Sequence, residues 1–153
     1  RKDDREALIK AHQRPKPRLD VLPILWEIAD SSKVIDICGM DSSDGLADAI
    51  LQVCQCSQVG AVIQATQIPL HKAFENWLTP ELALQYALYG GEDFELLMCL
   101  PQEAAKELVQ KLGNSAAVIG TITNSNGVLL QDKREKIPDQ VLNLNRGFQH
   151  FTN

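Results

Sequence analysis

Residues 90–123 read as strand, helix, strand, and that order restricts the fold more than any other stretch. "GGEDFELLMCL" is a glycine turn followed by a near-continuous apolar run, the pattern of a strand buried on both faces. "PQEAAKELVQKLG" is a helix with clear ends. Pro101 opens it, Gly113 stops it, and Ala104, Ala105, Leu108, Val109 and Leu112 share a face. "AAVIGTIT" is a second strand, and "NSNG" then turns into "VLLQD", which reads as a hairpin. A helix between two strands needs a sheet to cover, so the chain is expected to build layers.

The remaining segments repeat the alternation. Leu22, Leu25, Trp26 and Ala29 recur at helical spacing, and "KVIDICGM" supplies a strand near 34–39. Leu46, Ala49, Ile50, Val53 and Cys54 form one face of a helix ending near Ser57. "VGAVIQATQIP" reads as a strand, and "PELALQYAL" as a short helix with proline in its first turn. The expected fold is α/β (α+β), a single mixed β-sheet layered with helices. At 153 residues, 44% of them apolar, the chain has enough material for one core.

Charge and cysteine usage exclude some functions. The net charge of −5 does not favour nucleic acid. The charge is uneven: residues 1–18 carry seven basic and three acidic side chains, whereas the remainder carries eight and seventeen. No apolar run approaches the roughly 20 residues of a membrane span, and the first residues do not read as a secretory signal. Cys38, Cys54, Cys56 and Cys99 have no zinc-type spacing. Cys38 and Cys99 sit in apolar runs and are expected to be buried, and a reducing, cytoplasmic setting fits this usage.

Two short stretches can carry chemistry. In "MDSSDGLADAI", Asp41 and Asp44 precede an amphipathic helix, and an extended segment places Asp41 and Ser43 on one side. Magnesium takes one or two carboxylates together with phosphate oxygens and water, and a helix N-terminus favours a phosphate. The alternative is that Ser43 or Asp44 only caps the helix. In "GGEDFE" two glycines suit a tight turn that presents a carboxylate; the alternative is a helix stop followed by solvated acids. "GFQHF" near the end offers an aromatic side chain for a planar ligand or an anchor for the chain end. His12, His71 and His150 show no metal or triad spacing, and no Walker-type, GxGxxG or GxSxG motif is present.

Taken in order, these pieces resemble the C-terminal domain of the thiamine-monophosphate kinase family. "MDSSDGLADAI" resembles its (I/M)D-x-SDGL segment and "YGGEDFELLMCLP" its GGEDYELLF strand. "HQRPKPR" resembles its H-x-RP-x-PR entry and "GFQHF" its closing G-aromatic-x-HF. The resemblance runs over roughly residues 10–151 and implies the aminoimidazole ribotide synthetase-like type of C-terminal domain. It implies that residues 1–18 connect from an N-terminal domain absent here and that residues 19–153 form the C-terminal ligand-binding domain. It further implies Asp41 and Asp44 as Mg2+ ligands, Ser43 as an ATP contact, and Glu92 and Phe148 as contacts to thiamine monophosphate. Ser42 departs from the family, which usually has an apolar residue such as Ile there.

The implied activity is magnesium-assisted, in-line phosphoryl transfer from ATP to thiamine monophosphate. The chain alone is expected to be inactive, and the resemblance leaves a homodimer of the full-length form open. The alternatives are another ATP-dependent member of the superfamily, or a non-catalytic ligand-binding domain on the same fold.

Overall fold

The computed structural model describes residues 2–32, 36–132, 134 and 138–143. Five α-helices and six strands occur among them: α1 (Lys2–Gln13), α2 (Val21–Ser32), β1 (Cys38–Asp41), α3 (Leu46–Ser57), β2 (Gly60–Gln64), α4 (Pro80–Tyr89), β3 (Leu96–Cys99), α5 (Gln102–Leu112), β4 (Gly120–Thr123), β5 (Gly127–Gln131) and β6 (Gln140–Val141). The helix ends follow local chemistry. Thr79 caps α4, its Oγ1 accepting the Leu82 N–H at 3.3 Å, and Pro80 follows directly. Gly113 stops α5 with φ 61°, a conformation that glycine adopts without steric cost.

The α/β class is as expected, but the strands divide into two sheets rather than one. A two-stranded antiparallel ladder pairs β1 with β3, and a four-stranded mixed sheet runs β4-β2-β5-β6. In the larger sheet β2 is antiparallel to β4 and parallel to β5. This corrects the hairpin expected at "NSNG": β4 and β5 do not pair, because β2 lies between them. The turn straddles the start of β2. A side chain at Gly60 would meet the carbonyl oxygens of Ser125 and Gly127 at 2.3 and 2.4 Å, so only glycine fits beneath it.

Two apolar cores result. In the first, Ala47, Ile50 and Cys54 of α3 and Leu84 and Leu88 of α4 cover Ala61, Ile63, Val128 and Leu130 of the mixed sheet. The second joins Val21, Leu25 and Ile28 of α2 to Ala104 and Leu108 of α5. The β1–β3 ladder touches both, since Leu97 packs on the first core and its neighbour Met98 on the second. Successive residues of a strand face opposite ways.

Three further expectations are corrected here. The face of α2 that packs inward is Val21, Leu25 and Ile28, whereas Leu22 is exposed and Trp26 is 65% exposed. Strand β3 is not buried on both faces: Leu96 is exposed and the next three residues are partly exposed. Cys38 is exposed and Cys99 only partly buried; Cys54 is the buried cysteine. In each case an apolar run signals contact with something, but not which side makes it.

Candidate functional site

Asp41 ends β1, and the turn through Ser42, Ser43 and Asp44 leads to α3. The residue at the N-cap of α3 is Gly45, with φ 106° and no side-chain cap. Neither Ser43 nor Asp44 therefore serves as the cap. The cap residue itself offers no side-chain acceptor to the first-turn N–H groups of α3, and a helix N-terminus is where an anion is favoured. Asp41 is exposed, while Ser43 and Asp44 are partly buried.

The loop of residues 90–95 lies directly against this turn. The Glu92 N–H donates to the Ser43 carbonyl at 2.6 Å, and the Ser42 N–H donates to the Glu95 carbonyl at 2.9 Å. The Ser42 Oγ accepts the Glu95 N–H at 3.2 Å. Glycines make the approach possible. A side chain at Gly91 would meet the Ser43 carbonyl oxygen at 2.9 Å, and one at Gly45 would meet that of Leu88 at 2.9 Å. The two stretches singled out in the sequence thus form one hydrogen-bonded unit.

Backbone strain concentrates in the same loop. Glu92 and Phe94 adopt φ of 68° and 52°. A left-handed conformation costs a non-glycine residue about 1–2 kcal/mol. Such strain persists where surrounding contacts fix the backbone, and it often marks functional loops. The contacts here are the bonds to Ser42 and Ser43 on one side and Arg18 on the other.

Arg18 is mostly buried, with 18% of its side chain exposed. Its Nε and Nη2 donate to the two Asp20 carboxylate oxygens at 3.0 and 3.1 Å. Its Nη1 donates to Glu95 Oε2 at 3.1 Å and to the Ser115 carbonyl at 3.3 Å. The hydrogen bond to Asp20 raises the Arg18 pKa against the opposing effect of burial, and Glu95 adds to the rise. The same hydrogen bond lowers the pKa of Asp20. Arg18 therefore ties the segment entering α2 to the strained loop and to the turn after α5.

His12, near the end of α1, places Nε2 3.6 Å from Glu92 Oε2, with both side chains largely exposed. Asp93 has its carboxyl pKa raised, first by desolvation and then by the Glu95 charge, while His12 acts in the opposite direction. Sequence reasoning gave no role to Ser42, Arg18, Glu95 or His12. "HQRPKPR" contained the signal for two of them, but nothing local shows that this segment folds back onto residues 92–95.

Asp41, Ser43, Asp44 and Glu92 are thus brought together in two facing loops. Phe148, the other expected substrate contact, lies outside the described residues. Two carboxylates three residues apart, beside a helix N-terminus whose cap residue is glycine, suit an ion that retains water and phosphate oxygens. Among the described residues no cluster of three His, Cys, Asp or Glu side chains could hold a metal. The two aspartates fit as part of a coordination shell, not as a complete cage. Among the same residues no helix is long and apolar enough to cross a membrane.

The chain is similar in sequence and in fold to several known proteins. The thiamine-monophosphate kinase of Synechococcus elongatus is 50% identical over 150 residues, which are 97% of this chain and 43% of that protein. The chain thus spans less than half the length of this curated relative. A crystal structure of thiamine-monophosphate kinase from Stenotrophomonas maltophilia K279a superposes with a TM-score of 0.67 at 26% identity, covering 84% of this chain and 40% of that one. A structure described as AaThiL complexed with AMPPCP and TMP superposes with a TM-score of 0.62 at 26% identity, covering 91% and 41%. The family described as AIR synthase related protein, C-terminal domain, matches residues 1–133. With that match over most of its length, this chain belongs to the family of AIR synthase related protein C-terminal domains.

Proposed function

We propose that this chain is the C-terminal domain of an ATP-dependent kinase that phosphorylates thiamine monophosphate to thiamine diphosphate, with residues 1–18 leading in from a preceding domain. The observation that carries the reading is the hydrogen-bonded union of the 41–45 turn with the 90–95 loop. It brings metal-suited carboxylates beside a loop that presents an acidic side chain. The relatedness to thiamine-monophosphate kinases and the AMPPCP and TMP in one neighbour's complex support it.

The acceptor is itself a phosphate with a second pKa of about 6, largely ionised at neutral pH, so no general base is required. The obstacle is repulsion between two polyanions, and Mg2+ neutralises that charge when bound. Asp41 and Asp44 would hold the ion. Ser43 would contact ATP near the N-terminus of α3. Glu92 would hold the thiamine end by polar contact, and Phe148 would add an apolar contact to its ring. The γ-phosphoryl group would pass in line to the acceptor phosphate oxygen, with ADP leaving. The proposal places the enzyme in the cytoplasm and is compatible with a homodimer of the full-length form.

The test is an ADP-coupled assay on the full-length protein carrying Asp41→Asn or Asp44→Asn. Each change preserves shape and removes an anionic ligand. Loss of a few kcal/mol of charge stabilisation lowers turnover by about 100-fold or more, with little change in thermal midpoint. Near-normal turnover in both variants refutes the assignment. The 153-residue chain alone is expected to give background, and robust turnover by it refutes a site shared with a preceding domain.

A further inference from the structure

The ladder behind the candidate site pairs two cysteines face to face. In the β1–β3 register Cys38 lies directly opposite Cys99. Both are free thiols, Cys38 exposed and Cys99 partly exposed. Directly opposed residues of an antiparallel ladder point to the same side, with Cα atoms about 4.5–5.5 Å apart and Cβ atoms about as close. A disulfide accepts Cα separations of roughly 4.4–6.8 Å and Cβ separations of roughly 3.5–4.5 Å. The Cα atoms already meet the first range, and a backbone approach of about 1 Å brings the Cβ atoms into the second. The ladder can also yield slightly, because neither strand has a second partner strand among the described residues.

We propose that Cys38 and Cys99 form a reversible dithiol–disulfide site, oxidised by exchange with a low-molecular-weight disulfide, that clips β1 to β3 at the end of the ladder away from Asp41. Cys38 is the entry point, since it is the exposed member of the pair. Its thiolate attacks one sulfur of the oxidant, forming a mixed disulfide and releasing one small thiolate. The Cys99 thiolate then attacks the Cys38 sulfur and expels the second. The two protein thiols together lose two electrons and two protons, and the oxidant is reduced to two thiols. Burial first, and then the neighbouring Cys38 and Cys54, raises the Cys99 pKa. This agrees with Cys99 acting second, once Cys38 holds an electrophilic sulfur beside it.

The same ranking separates the pair from the other cysteines. Cys54 is buried within the first core, where a small oxidant does not reach it. Cys56 is exposed but sits on α3, away from the ladder register. The cross-link joins residues far apart in sequence, so it restricts the unfolded chain strongly and raises the thermal midpoint. It would also pin the strands from which both site loops emerge. The proposal stands on the ladder register and does not require the kinase reading.

The test uses the full-length protein incubated with glutathione disulfide, blocked with an alkylating reagent and digested without reductant for mass spectrometry. The expected product is a linked peptide pair containing Cys38 and Cys99, lost on treatment with dithiothreitol. It is absent in Cys38→Ser and Cys99→Ser and retained when Cys54→Ser and Cys56→Ser are combined. The oxidised parent melts several degrees higher than the reduced form, and Cys38→Ser shows no such shift. Glutathione adducts that stop at Cys38, a dominant link through Cys54 or Cys56, or thiols that stay unmodified overturn the proposal.

Discussion

Ser42→Ala isolates the contact that joins the two site loops. Ser42 is only 4% exposed, and its Oγ accepts the Glu95 N–H at 3.2 Å. Alanine keeps the backbone bond from the Ser42 N–H to the Glu95 carbonyl but removes the acceptor from the Glu95 amide. An unsatisfied buried donor costs about 1–3 kcal/mol. The Glu95 side chain is largely exposed, so water relieves part of that cost. The expected loss is about 1–2 kcal/mol, which for a chain of this size lowers the thermal midpoint by about 2–8 °C. Ser42→Thr retains the oxygen and should recover most of the loss.

Urea denaturation supplies the energy, read as a lower midpoint at unchanged slope. Amide hydrogen exchange supplies the location, since the Glu95 N–H should exchange faster in the alanine variant than in the threonine one. An alanine variant within about 0.3 kcal/mol of the parent, with unchanged exchange at Glu95, would refute the assignment of Ser42 as the clasp.

Two further perturbations test the frame around the site. Leu130→Ala empties a position 1% exposed at the centre of the mixed sheet, and it should destabilise by about 2–5 kcal/mol in chemical denaturation; a loss under about 1 kcal/mol would show that the first core is not packed as described. Asp93 titrates with the opposite sign to a salt-bridged acid, because its folded pKa is raised by desolvation and by Glu95. Its favourable contribution is complete below the unfolded carboxylate value of about 3.9 and is lost as pH rises through the higher folded value. Asp93→Asn should therefore raise stability at neutral pH and lose that advantage in acid, and a variant no more stable than the parent at pH 7 would contradict it.

What the sequence revealed was local. The buried face of α3 and both ends of α5 follow from apolar spacing and from Pro101 and Gly113, since a helix satisfies its hydrogen bonds within itself. Strand partners depend on residues far away. "NSNG" has hairpin composition, yet the turn crosses over Gly60 and β2 takes the position between its flanking strands. Trp26 and Leu22 fit a helical period as well as Val21 and Ile28 do, and only the position of α5 decides which pair packs inward.

The candidate site divides in the same way. Asp41, Ser43, Asp44 and Glu92 stand out as polar residues beside glycines at turns, and the family resemblance supplied their expected roles. The Arg18 bridge to Glu95 spans 77 positions and leaves no local trace. Ser42 stood out in the sequence only as a departure from the family it resembles, which usually has an apolar residue there. Its hydroxyl instead serves an amide 53 residues downstream.

The position of β2 between β4 and β5 also governs when the sheet can form. Gly60 pairs with Thr123 on one side and Gly127 on the other, and both neighbours of β2 arrive roughly sixty residues later along the chain. On the ribosome, where synthesis proceeds at about 5–20 residues per second, β2 waits several seconds with both edges open. Sheets that depend on such distant pairings fold slowly and expose apolar strand edges in the interval. During that interval α3, already complete and amphipathic, is the cover available to β2, so the helix that follows the aspartate turn also serves as the strand's shield during synthesis.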